Sequence, residues 1–154
     1  IITGNFEHYT SRGRLKGFLD AMKEADLIPV DEHIQCGDYS IDGGYEAMLR
    51  IWDTKKRPTA IFISNYDMTI GAYLAINYLR LKIPDDISVI GFDNFPLANV
   101  VNPPLSFAEQ PTNVMGTEAG KLLYRRICGD YSDYPKTIMH KPTMHYKESI
   151  RQLT

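Results

Sequence analysis

The chain has 154 residues, 44% hydrophobic and 23% charged, which is the composition of an ordinary globular protein with room for one core, or one and part of another. A formal charge of -2, with no face-forming run of Lys and Arg, excludes a nucleic-acid footprint within this sequence. No apolar run approaches the roughly 20 residues of a membrane helix, and Cys36 and Cys128, far apart and without CxxC or paired-His spacing, predict free thiols in a reducing cytosol.

Ile1 to Thr3 reads as the end of a buried strand; opening there, without Met or a signal pattern, predicts a fragment of a longer protein. Gly4 to Tyr9 is a loop. A helix is expected from about Ser11 to Asp26, with Leu15, Phe18, Leu19 and Met22 on one face, Thr10 or Ser11 as N-cap, and Ile28-Pro29 as its stop. His33 to Cys36 is a short strand candidate. Ser40 can cap a helix reaching Trp52, because Tyr45, Met48, Leu49 and Trp52 share a face.

Arg57 to Pro111 is the most informative stretch. Thr59–Ser64 and Ile87–Phe92 are short β-branched apolar runs, and between them Ile70, Leu74, Ile76 and Leu79 recur at helical spacing, so the segment predicts a βαβ unit. Ser64, Asn65, Phe92, Asp93 and Asn94 then fall at the carboxyl ends of neighbouring parallel strands, where open α/β sheets bind small ligands. Leu105 to Glu109 is a further strand candidate. Asn113 to Cys128 is a predicted helix with Val114, Leu122, Leu123 and Ile127 on its buried side and Gly129 as its stop, and Thr137–His140 and Thr143–Lys147 are predicted short strands. The expected class is α/β with a largely parallel sheet.

These pieces together resemble the effector-binding core of the LacI/GalR family of bacterial transcription regulators. The resemblance rests on Thr3-Gly4, Arg14 to Phe18, Gly37 to Ser40 with Gly44-Tyr45, Pro58 to Phe62, Met68 to Ala72, Ser88 to Asp93, Pro103 to Leu105 and Gln110-Pro111, which follow one another at the family's usual spacings. It implies a type I periplasmic-binding-protein-like three-layer sandwich, mostly its C-terminal subdomain, with residues 1–105 and 132–154 in that subdomain and 106–131 in the N-terminal one. It also implies DNA contact only through a helix-turn-helix preceding Ile1, a cytoplasmic homodimer, and a small-molecule effector, a carbohydrate by first expectation.

By the same resemblance Thr10, Arg14 and Asp93 line the effector site. Their chemistry agrees: an Arg fork fixes oxygen atoms in a plane, and a carboxylate accepts from two hydroxyls. Asn65 is either an amide ligand or the N-cap of the following helix, and the two roles are compatible. Tyr39 stacks on a ligand ring or packs in its loop. His8 borders the pocket, Gln110 lies where the chain crosses between subdomains, and Tyr66 stands where the family often has Asp, so it narrows the pocket or adds an aromatic surface. The resemblance places a dimer interface on Met68, Ala72, Tyr73, Ile76, Phe95, Leu97 and Val100.

No GxSxG, P-loop or metal-ligand cluster occurs, and His8, His33, His140 and His145 are scattered, so a sensor is expected rather than an enzyme, with no cofactor. Two alternatives share much of this pattern: a periplasmic-type sugar receptor, and a purine sensor in which Tyr39 stacks on a base.

Overall fold

The computed structural model describes residues 1–93 and 96–152, with Leu97 described by its backbone alone. Its first strand, β1 (Ile2–Thr3), is followed by helix α1 (Tyr9–Glu24), strand β2 (Gln35–Cys36) and helix α2 (Ile41–Trp52). The predicted βαβ unit is present as β3 (Ala60–Phe62), α3 (Tyr66–Tyr78) and β4 (Ser88–Phe92). Then come β5 (Ser106–Glu109), α4 (Thr112–Ile127) and β6 (Thr143–His145).

β1 pairs with β2 in parallel, and β3, β4 and β5 form a parallel run that β6 closes antiparallel. The two groups meet where Ile2 bridges Ile63, and Ser64 N–H donates to the Ile2 carbonyl at 2.9 Å. The sheet therefore reads β2-β1-β3-β4-β5-β6. All the parallel strands present their carboxyl ends on one edge.

The core follows from two helix faces. Met68, Ala72, Ala75 and Ile76 of α3, and Ala47, Met48 and Ile51 of α2, recur at helical spacing and are buried with Ile2, Ile61, Ile63, Ile87, Val89 and Leu105. Each large aliphatic side chain fully removed from water contributes roughly 1.5–3 kcal/mol. The two helices approach until backbone meets backbone: a Cβ on Gly71 would stand 1.9 Å from the Ile41 carbonyl oxygen. Both helices start on side-chain caps, Ser40 Oγ accepting from Gly43 N–H and Asn65 Oδ1 from Met68 N–H, each at 3.0 Å.

The chain near residue 149 locks the opposite edge of the sheet. Ser149 Oγ donates to the Val89 carbonyl and accepts from Ser106 N–H, both at 2.7 Å, so it ties β4 to β5.

Several expectations need correction. α1 begins at Tyr9 with His8 at its N-cap and no side-chain cap, because Thr10 and Ser11 turn their hydroxyls toward Tyr39 instead. The α1 residues Leu15, Phe18, Leu19 and Met22 are only half-buried, and Ser11 is the one buried residue of that helix. Thr137 to His140 is not a strand, and His33 lies in a short 3-10 turn, Asp31–His33, so only Gln35–Cys36 pairs. The apolar face of α4 is not covered: Val114, Leu123 and Ile127 are exposed, Leu122 is half-buried, and none of the helix's residues is buried. After Pro111 the chain leaves the sheet until β6, and no layer of described residues lies against that face of α4.

Candidate functional site

The carboxyl edge of the sheet gathers the polar residues that the sequence singles out. Arg14, in the second turn of α1, donates from Nη1 to the Ser64 carbonyl at 2.5 Å, and its guanidinium carbon lies 3.9 Å from the centre of the Phe92 ring. A guanidinium held by a carbonyl at one end and an aromatic face below keeps its charge and its plane at a fixed place. Arg14 thus spans the ends of β3 and β4.

Tyr39 is fixed just as firmly. Its hydroxyl meets Ser11 Oγ at 2.6 Å and Thr10 Oγ1 at 2.8 Å, its ring stacks with His8 at 5.6 Å and 17°, and it presses on Gly4, where a Cβ would stand 2.1 Å from Cζ. The backbone pays for this placement, since Asp38 and Tyr39 both lie in the left-handed region, with φ of 48° and 56°. For a bulky aromatic residue that is a sparsely populated conformation, of the kind that clusters at ligand sites and costs about 1–3 kcal/mol.

Asp93 follows β4 with φ of 78°, also left-handed. Two bonds hold it to the end of β5: its N–H donates to the Ala108 carbonyl at 2.8 Å, and Gln110 Nε2 donates to its Oδ1 at 2.6 Å. Asn65, at the end of β3, is the cap of α3, and its Nδ2 makes no hydrogen bond among the described residues. Tyr66 is half-buried and packs against the core cluster.

The structure therefore brings Arg14, Tyr39, Thr10, His8, Asn65, Asp93 and Gln110 to one edge. His8 and Thr10 are exposed there, and the others half-buried. Three residues support the site in ways the sequence did not indicate, although Ser64 and Phe92 were expected at the strand ends. Ser64 and Phe92 seat Arg14, and Ser11 orients Tyr39. Ser11 shares a helix face with Arg14 at i, i+3, which is the signal that could have found it; the Arg14–Phe92 stack joins residues far apart in sequence and had none.

The residues expected at a dimer contact divide. Met68, Ala72 and Ile76 are at most 1% exposed because they fill this chain's own core, so they cannot meet a second copy. Val100 is 74% exposed and Tyr73 half-buried, while Phe95 and the Leu97 side chain lie outside the described residues. Tyr73 lines an apolar hollow of about 170 Å³ with Ile70, Leu74, Val101 and Leu105, away from the strand ends. Its hydroxyl has no partner among the described residues, and burial pushes its pKa up. Among the described residues no group of three or more His, Cys, Asp and Glu could hold a metal ion, and no helix is long and apolar enough to cross a membrane.

Comparison with known proteins gives this geometry a context. Residues 1–150 match the periplasmic binding protein-like domain family. The HTH-type transcriptional repressor PurR of Proteus mirabilis (strain HI4320) is 38% identical over 97% of this chain, which spans 44% of that repressor's length. A LacI transcriptional regulator from Bacillus cereus subsp. cytotoxis superposes with a TM-score of 0.92 at 26% identity, covering 99% of this chain and 54% of the regulator. The transcriptional regulator CelR, solved as its cellobiose complex, gives 0.89 at 27% identity over 96% of this chain and 45% of its own. The chain belongs to the periplasmic binding protein-like domain family, in the form that LacI-type transcriptional regulators carry.

Proposed function

We propose that this chain is the effector-sensing domain of a LacI-type transcriptional regulator and that a small carbohydrate binds at the carboxyl edge of its sheet. The observation that carries the reading is the pairing of a fixed cation with a fixed carboxylate on neighbouring strand ends: Arg14, seated on Ser64 and Phe92, and Asp93, held in a left-handed backbone. Ring hydroxyls would donate to Asp93 and accept from Arg14, with the Asn65 amide beside them and the Tyr39 ring as a wall. The CelR complex, which holds cellobiose, is a structural neighbour consistent with this class of ligand.

In the whole protein the effector would lie between two lobes: the sheet, in which Ser106–Glu109 pairs with β4 so that the chain would cross after β5 rather than at residue 106, and a second lobe to which α4 would belong. DNA would be contacted by a helix-turn-helix outside this sequence. A regulator works only if the effector binds one arrangement of the lobes better than the other, which couples its site to the DNA reader. The protein would act in the cytoplasm as a homodimer, pairing through the exposed side of α3 around Tyr73 and Leu74 together with Val100. No catalytic role is assigned to any residue.

A flat heterocycle such as a purine is the second reading. It is favoured by the parallel His8–Tyr39 stack, an aromatic surface beside the polar groups, and by the PurR name of the curated relatives.

Calorimetric titration of the protein with D-ribose, D-galactose, cellobiose, hypoxanthine and guanine decides between the readings. Asp93→Asn keeps the shape and tolerates the left-handed backbone but loses the charge, so it should weaken binding of the recognised compound roughly tenfold or more. Unchanged affinity in that variant would remove Asp93 from the site.

A further inference from the structure

We propose that Gln110 is a latch that competes with the effector for Asp93, so that effector binding loosens the joint between β5 and α4; this rests on the effector site proposed above.

The latch is built from three features. The Gln110 Nε2 bond to Asp93 Oδ1, at 2.6 Å, is short and charge-assisted, and it uses the carboxylate oxygen that a ring hydroxyl or N–H must reach to bind Asp93 through both oxygens. Gln110 also sits at the joint itself: β5 ends at Glu109, Pro111 is the N-cap of α4, and the Gln110 carbonyl accepts from Thr112 N–H at 2.8 Å. Finally, α4 has no buried residue, so the sheet does not hold it by packing.

What stays fixed is as informative as what is freed. β5 is anchored without Gln110, by its parallel pairing with β4, by the Asp93 N–H to Ala108 carbonyl bond, and by its antiparallel pairing with β6. On the far side of the joint, His140 of the returning chain stands beside Glu118 of α4, with Nε2 2.9 Å from Oε2. Release of the Gln110 side chain therefore leaves the sheet intact and frees only the step from β5 into α4. A compound that takes Asp93 from Gln110 changes the orientation that α4 can adopt, which links occupancy of the site to the position of a helix.

The sign of one mutation separates a latch from an ordinary ligand contact. A competing internal bond lowers the fraction of Asp93 ready for the effector and so weakens apparent affinity by that fraction. Gln110→Ala should therefore bind the recognised probe, whether D-ribose, cellobiose, hypoxanthine or guanine, about three- to tenfold more tightly than the parent protein. Weaker or unchanged binding overturns the latch.

A second measurement needs no effector. The Gln110 side-chain amide, followed by NMR, should be displaced and protected from solvent exchange in the parent protein and should move to the position of a free amide in Asp93→Gly. Glycine suits the left-handed backbone at residue 93 and removes only the acceptor. An amide signal that is the same in both proteins overturns the latch even where no probe binds, a result that would separately count against the proposed effector classes.

Discussion

α3 and α4 each follow a parallel strand of the same sheet, yet they end in opposite environments. α3 is 13 residues long, begins on the Asn65 cap and buries Met68, Thr69, Gly71, Ala72, Ala75 and Ile76. α4 is 16 residues long, begins at Thr112 behind Pro111 without a side-chain cap and buries nothing. Their glycines show the same contrast: Gly71 lies against the α2 backbone, whereas a Cβ on Gly116 or Gly120 would meet nothing within 4 Å. A glycine in a helix interior costs roughly 0.5–1 kcal/mol relative to alanine, and only in α3 does contact within this chain offset it. The periodicity of a helix states which face is apolar; it does not state what covers that face.

Substitutions at matched places sharpen this contrast. Met68→Ala, in a side chain that is fully buried, should lower stability by about 2–5 kcal/mol in denaturant titration, with the slope unchanged. A cost under about 1 kcal/mol would mean that α3 is far less tightly held than its burial implies. Asn65→Ala removes the cap of α3 and should cost about 1 kcal/mol, separable from any effect on effector binding because it appears in the protein alone. Ile127→Ser on α4, where the side chain is 74% exposed, should stay within about 0.5 kcal/mol; a larger loss would show that α4 is covered in solution.

The smallest effect is expected in acid, at the end of α4. There Arg125 binds Asp130 and Asp133, and Arg126 binds Asp133, at 2.7–2.8 Å. The Asp130 carboxyl is held down to about 2, first by the N–H and hydroxyl of Ser132 and then by Arg125; Asp133 is lowered further, chiefly by Arg126 and Lys136. Both folded values lie below the ordinary 3.8, so the contribution is full above that pH and is lost as pH falls through the folded values. The protection of the amides at residues 128–136, measured as exchange relative to the intrinsic rate at each pH, should therefore fall as the pH drops from 4 toward 2. Because these carboxylates lie at the surface and stay partly open to solvent, the change in global stability should be slight.

Much of the site was legible in the sequence because strand ends are legible. β-branched runs placed β3 and β4, parallel pairing followed from the helix between them, and Asn65 and Asp93 then fell on one edge without further information. Tyr39 and Arg14 were expected there by resemblance, but what fixes them was not visible. The Ser11–Tyr39 and Arg14–Phe92 contacts join residues 28 and 78 positions apart, and no local pattern encodes such a meeting. Three of the α3 residues expected at a dimer contact lie in the core for a related reason. Met68, Ala72 and Ile76 form one apolar stripe, and spacing alone cannot say whether a stripe faces its own sheet or a second copy.

The sequence by itself determined the alternation of strands and helices, the caps at Ser40 and Asn65, and the polar character of the strand ends, because each depends on residues within a few positions of one another. Tertiary structure decided the rest. It set which face of α3 became core, how Ser149 closed the sheet between β4 and β5, and how Gln110 came to Asp93 across the ends of two strands. Those outcomes depend on which distant backbone arrives alongside, and that is a property of the packed sheet rather than of any segment in it.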